Sequence, residues 1–116
     1  MVKWRKGYNK YQNKKVSVCG ITFDSTKEAN RYKELILLER LGKIKDLRMQ
    51  VKYEIQPKFT IDGKTIRSIN YIADFVYYDC DQGREVVEDV KGFRTEVYKL
   101  KKKLFEYKYK IKIIEI

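Results

Sequence analysis

A chain of 116 residues, 43% apolar and 37% charged, reads as a single globular domain with one modest core, and no apolar run in it reaches the roughly 20 residues a bilayer-spanning helix needs. Zero histidines exclude Ser-His-Asp triads, histidine general bases and histidine-ligated zinc, while Cys19 and Cys80 match no zinc spacing and are too few for a disulfide framework. Lysine and arginine outnumber aspartate and glutamate by 27 to 16, and the resulting +11 points to a polyanionic partner, nucleic acid before an anionic membrane surface.

Six basic residues and no acid fall within residues 1–23. In residues 1–15 they interleave with Trp4, Tyr8 and Tyr11 without helical or strand period. This predicts a flexible basic arm in which Lys3, Arg5, Lys6, Lys10, Lys14 and Lys15 meet phosphates while the rings stack. The other reading is a tail whose aromatics fold back on the domain. The N-terminus lacks the apolar core of a signal peptide, so a cytoplasmic location is expected.

Val16 to Phe23 alternates well enough for a small hairpin broken at Gly20. Ser25 with Glu28 three residues on is a capping box, and it predicts a helix running to about Leu41 with Gly42 just beyond its end. Ala29, Tyr32, Leu35, Ile36 and Leu38 give that helix its apolar side. Lys45 to Gln56 alternates as a half-buried strand that Pro57 stops. Asp62-Gly63 between Phe59-Thr60-Ile61 and Thr65-Ile66 is a two-residue hairpin signal.

Ile69 to Tyr78 reads as the next strand, with Ile72, Asp74 and Val76 on one face and Tyr71, Ala73, Phe75 and Tyr77 on the other. A turn at Asp81-Gln82-Gly83 leads into a strand that starts near Arg84 and runs to Lys91, closing an antiparallel hairpin. Thr95 caps a second helix, Glu96 to about Tyr107, with Val97, Leu100, Leu104 and Phe105 expected inward and Lys99, Lys101, Lys102 and Lys103 outward. Ile111 to Ile116 is a last strand. The order predicts an α/β fold with a central mixed sheet flanked by helices.

Val86-Val87-Glu88-Asp89-Val90-Lys91-Gly92 is apolar enough for a buried strand yet holds two carboxylates and a lysine, which are costly to bury without partners. Alternation sends Asp89 and Lys91 to one face and Glu88 to the other. Hairpin pairing brings Asp74 beside Asp89, so the two carboxylates can share a divalent cation with Lys91 within reach of a bound phosphate. That set suits metal-assisted phosphodiester hydrolysis, and Mg²⁺, with Mn²⁺ as substitute, suits so few carboxylates. The alternative is a structural ion pair between Lys91 and the acids. By its spacing from Ser25, Glu28 is a capping acid, Glu88 reads as a salt-bridge residue unless a bulge shifts it into the site as a ligand, and Gln50 and Lys101 are candidates to line the site.

Asp74 followed by Asp89-Val90-Lys91 resembles the PD-(D/E)xK nuclease superfamily. The strings Phe23–Tyr32, Gly42–Leu47, Tyr71–Phe75 and Val87–Gly92 are similar to a family of small phage and prophage proteins assigned to it. The resemblance implies a restriction-endonuclease-like αβββαβ core over residues 16–116, Glu28 as an extra acid, and the Val90 carbonyl as a metal ligand. It also implies a Mg²⁺-dependent DNA endonuclease of a phage or prophage, acting in the bacterial host. Glu28, Asp74, Asp89 and Lys91 would be catalytic, with Lys99, Lys101, Lys102 and the basic arm on DNA. With no sequence-reading domain in view, a junction-resolvase-like substrate and a homodimer are expected. The competing function is a non-catalytic nucleic-acid-binding module on the same fold.

Overall fold

The computed structural model of the chain describes residues 15–90 and 94–116. A small hairpin, β1 (Val16–Val18) and β2 (Ile21–Phe23), leads into helix α1 (Thr26–Arg40). Ser25 caps α1 by accepting the Glu28 N–H at 3.1 Å. Gly42, at φ 78°, takes the left-handed turn after its C-terminus, a conformation that costs other residues about 1 kcal/mol. Both ends of α1 fall where the capping residues put them.

A four-stranded sheet follows, in the order β3 (Ile44–Gln56), β6 (Ile69–Asp79), β7 (Arg84–Asp89), β8 (Ile113–Glu115). The first two pairings are antiparallel and β7–β8 is parallel. Helix α2 (Glu96–Tyr109) makes the crossover between β7 and β8, as a parallel pair requires. The short strands β4 (Phe59–Ile61) and β5 (Lys64–Ile66) form a separate hairpin between β3 and β6. Among the described residues the fold is thus mixed α/β, with one central mixed sheet and two helices.

Two apolar clusters sandwich the sheet. Ala29, Tyr32 and Leu35 of α1 pack with Phe23, Ile44, Phe75, Tyr77 and Val86, while Tyr98 and Phe105 of α2 pack with Tyr71, Ala73, Val76, Val87 and Ile113. This corrects the expected alternation in β6. Tyr71 and Ala73 side with α2, Phe75 and Tyr77 with α1, and Val76 joins the α2 cluster instead of standing apart from Tyr71 and Ala73.

β3 changes sides at the same level. Met49 packs toward α1 and Val51 toward α2, across Gln50, whose φ of 52° interrupts the extended backbone that strict period two assumes. The Met49–Phe75 and Val51–Ala73 pairs bracket Gln50 and Asp74, so the two strands cross over together.

The second helix is also turned from its expected face. Val97 is 63% and Leu100 57% exposed, and Leu104 lies at the surface, whereas Tyr98 is buried beside the expected Phe105. Tyr98 is admitted to the core because its hydroxyl donates to Glu115 Oε2 at 2.7 Å, so its polar tip keeps a partner.

Candidate active site

Asp74 sits where the sheet changes sides, and its two oxygens point to different strands. Oδ1 accepts from Gln50 Nε2 of β3 at 3.2 Å, and Oδ2 accepts the backbone N–H of Val90, just past β7, at 2.7 Å. The same Gln50 nitrogen donates to Glu28 Oε2 at 3.2 Å. One amide therefore holds carboxylates from α1 and β6 together, against their mutual repulsion. Both acids are half-buried, beside a cleft of about 430 Å³ lined by Ile21, Thr22, Asp24, Glu28, Met49 and Gln50. Ser25 anchors the backbone of Glu28, so capping is compatible with its carboxylate facing the cleft.

Asp89 closes β7 and is fully buried. It accepts a 2.5 Å hydrogen bond from the Tyr71 hydroxyl, within the α2-side cluster. Burial first, and then this bond and the carboxylate charges of Asp89 and Asp74, push the Tyr71 phenol far above its ordinary range. Tyr71 lies in the field of both acids. The two carboxylates share this neighbourhood, but different donors engage them.

Glu88 points the other way, as alternation predicts. Arg31 of α1 grips it with Nε at 2.8 Å and Nη2 at 2.5 Å, and Tyr77 donates from the same side at 2.5 Å. The Glu88 hydrogen bond is the main reason the Arg31 guanidinium is held still further above its high ordinary range. The salt-bridge reading of Glu88 stands, and this bridge fastens α1, which carries Glu28, to the strand that ends in Asp89.

Lys91, Lys3, Arg5, Lys6, Lys10 and Lys14 lie outside the described residues. Lys15 is exposed and pairs with Asp24 at 3.0 Å. Lys99 pairs with Glu96 at 3.1 Å and Lys102 with Glu106 at 3.8 Å, ties weak enough to yield to a phosphate. Lys101 is half-buried beside an apolar groove with Lys52, Ile72, Val97, Leu100 and Leu104. It does not line the acidic cleft.

Sequence reasoning missed Tyr71 and Arg31. Their partners Asp89 and Glu88 lie 18 and 57 residues away, so no local signal in the sequence pairs them.

Among the described residues no group of three acidic or cysteine side chains is assembled to hold a metal ion. The Glu28–Asp74 pair nevertheless fits Mg²⁺, which takes oxygen donors from one or two carboxylates and keeps several waters.

Burial first, then carboxylate hydrogen bonds, also raise the phenols of Tyr77 and Tyr98 from their ordinary value of 10. Their neutral forms are favoured by folding. That stability is fully present below about pH 10 and is lost as pH rises further, because the unfolded chain then releases phenol protons that the folded chain keeps. Urea midpoints are expected to fall above about pH 10, and less steeply in Tyr71→Phe/Tyr98→Phe. An equal fall in that variant would assign the loss to other groups.

The family model DUF1064, described as a protein of unknown function, matches residues 8–114. No curated protein and no solved structure matches the chain significantly.

Proposed function

The chain belongs to the DUF1064 family, whose description assigns no activity, and from its own residues we propose that it is a Mg²⁺-dependent DNA endonuclease. The observation that carries this reading is the Gln50 amide holding Glu28 and Asp74 side by side at a cleft, with Asp74 also bonded to the backbone that begins Val90-Lys91. Like charges kept together at a half-exposed site cost stability, and a cation shared between them accounts for that cost.

Glu28 and Asp74 would hold the ion with the Val90 carbonyl, and Asp89, bonded to Tyr71, would fix the end of β7 that presents Val90. Once bound, the cation neutralises the scissile phosphate and lowers the pKa of its water. Lys91 stabilises the charge that builds on the phosphate oxygens. Tyr71 fixes the orientation of Asp89. Lys15, Lys99, Lys101, Lys102 and the basic arm supply sequence-independent backbone contacts, which suits branched DNA cut by a resolvase-like homodimer. The restriction-endonuclease-like core is part of this proposal, as is a phage or prophage origin.

The Asp89–Tyr71 bond inside the α2-side cluster favours a second reading, in which the fold only binds nucleic acid and Asp89 is structural. Purified protein with Mg²⁺ or Mn²⁺, tested on linear, nicked and four-way DNA, separates them. Metal-dependent cleavage of any of the three is expected. Intact DNA in all three assays, from protein that binds it, leaves the binding module.

A further inference from the structure

Away from the acidic cleft, a second hairpin stands outside the main sheet among the described residues. β4 and β5 pair only with each other, and all six of their residues are exposed. Phe59 lies opposite Ile66, Thr60 opposite Thr65 and Ile61 opposite Lys64. Cross-strand partners share a face and successive residues alternate, so Phe59, Ile61 and Ile66 make one apolar face with Lys64 at its tip, and the threonines make the other.

Asp62 and Gly63, at φ 50° and 74°, form the tight turn this twist requires. Phe59 at 44% and Ile61 at 57% exposure are apolar surface that nothing among the described residues covers. Residues 58–67 also hold Lys58, Lys64 and Arg67 against the single acid Asp62.

We propose that this hairpin is a DNA-binding ribbon that enters a groove of the duplex. Lys58, Lys64 and Arg67 meet phosphates along the groove walls, and Phe59, Ile61 and Ile66 press against the base pairs with the threonine face turned away from them. A two-stranded ribbon has the width a groove admits, and apolar side chains of this kind wedge between base steps and bend the helix.

Charge selects this occupant. Two copies meeting through the hairpin would bring their lysines together, whereas a polyanion neutralises them. Gln50 and Phe59 are nine residues apart in sequence, which spans at most about 30 Å. The ribbon therefore lies within on the order of nine base pairs of the cleft, on the same duplex. The inference rests on the nucleic-acid part of the proposed function and not on its chemistry.

The test uses the full chain in EDTA, with labelled duplex DNA followed by fluorescence anisotropy across a salt series. For Lys58→Ala/Lys64→Ala/Arg67→Ala, the slope of log affinity against log salt is expected to drop by about 2.7, at about 0.9 per lost phosphate contact. For Phe59→Ser/Ile61→Ser, affinity is expected to fall at least about tenfold with the slope kept. Thermal midpoints near wild type show that both variants fold, as expected for a hairpin that pairs with no other described strand.

Unchanged slope and affinity in the variants overturn the ribbon. So does a wild-type dimer in sedimentation that Phe59→Ser/Ile61→Ser converts to monomer, which would make the apolar face a contact between copies. Wild type that binds DNA through the hairpin but never cleaves it leaves the ribbon standing and removes the nuclease. Wild type that binds no DNA removes both.

Discussion

Replacing Glu88 by alanine is expected to cost about 3–5 kcal/mol of folding stability, the range for stranding one partner of a buried ion pair. Glu88 is fully buried, and its two oxygens receive Arg31 and Tyr77. Truncation removes the carboxylate and leaves the Arg31 guanidinium, whose side chain is 21% exposed, without its main counter-charge. Glu34 still pairs with Arg31, at 2.8 Å, and tempers the loss. Arg31→Met/Glu88→Leu removes both charges and is expected to recover much of it, because replacing a buried pair by apolar side chains is often neutral. Urea unfolding of the two single variants and the double variant measures this directly. A loss below about 1 kcal/mol in Glu88→Ala would show that the pair contributes little to fastening α1 to β7.

Asp74→Ala is the second large effect, and it falls on activity. The loss of a ligand that supports several kcal/mol of transition-state charge stabilisation corresponds to about three decades in the cleavage rate. The variant also deprives the Val90 N–H of its acceptor and the Gln50 amide of one of its two, so folding is expected to weaken by roughly 1–3 kcal/mol. Metal binding separates these contributions. Wild type should gain thermal stability with increasing Mn²⁺, as any ligand of the folded state confers, and Asp74→Ala should gain none. Asp74→Asn keeps a carbonyl for the Val90 N–H and guards against a variant that simply fails to fold. Cleavage by Asp74→Asn at the wild-type rate would remove Asp74 from the chemistry.

Local chemistry made much of the fold readable. Ser25, Gly42, Thr95 and the Asp62-Gly63 turn act within a few residues of themselves, and the helix ends and the hairpin fall where they indicate. What remained hidden is non-local. A left-handed Gln50 has no signature in a sequence that otherwise alternates, yet it marks where β3 and β6 change sides and where Asp74 lies.

Tyr98 hides for another reason. Tyrosine is apolar along its ring and polar at its tip, and the Glu115 carboxylate that accepts from its hydroxyl is 17 residues away. Arg31 lies 57 residues from Glu88 in sequence, so α1 gave no hint of the bridge. For the site, sequence singled out Glu28, Asp74 and Asp89. The structure joins the first two through Gln50 and turns the third toward Tyr71.

The parallel pairing of β7 with β8 has a bearing on how the chain folds as it leaves the ribosome. β3, β6 and β7 follow one another as antiparallel neighbours and can zip together early, whereas β8 reaches β7 only after α2 has been made and docked. Until then β7 is an open sheet edge that includes Val86 and Val87, a natural template for pairing with another nascent chain. Glu88 and Asp89, buried once the fold is complete, are charged in that interval and lie on this edge. Two carboxylates there disfavour edge-to-edge association while the crossover is still being synthesised.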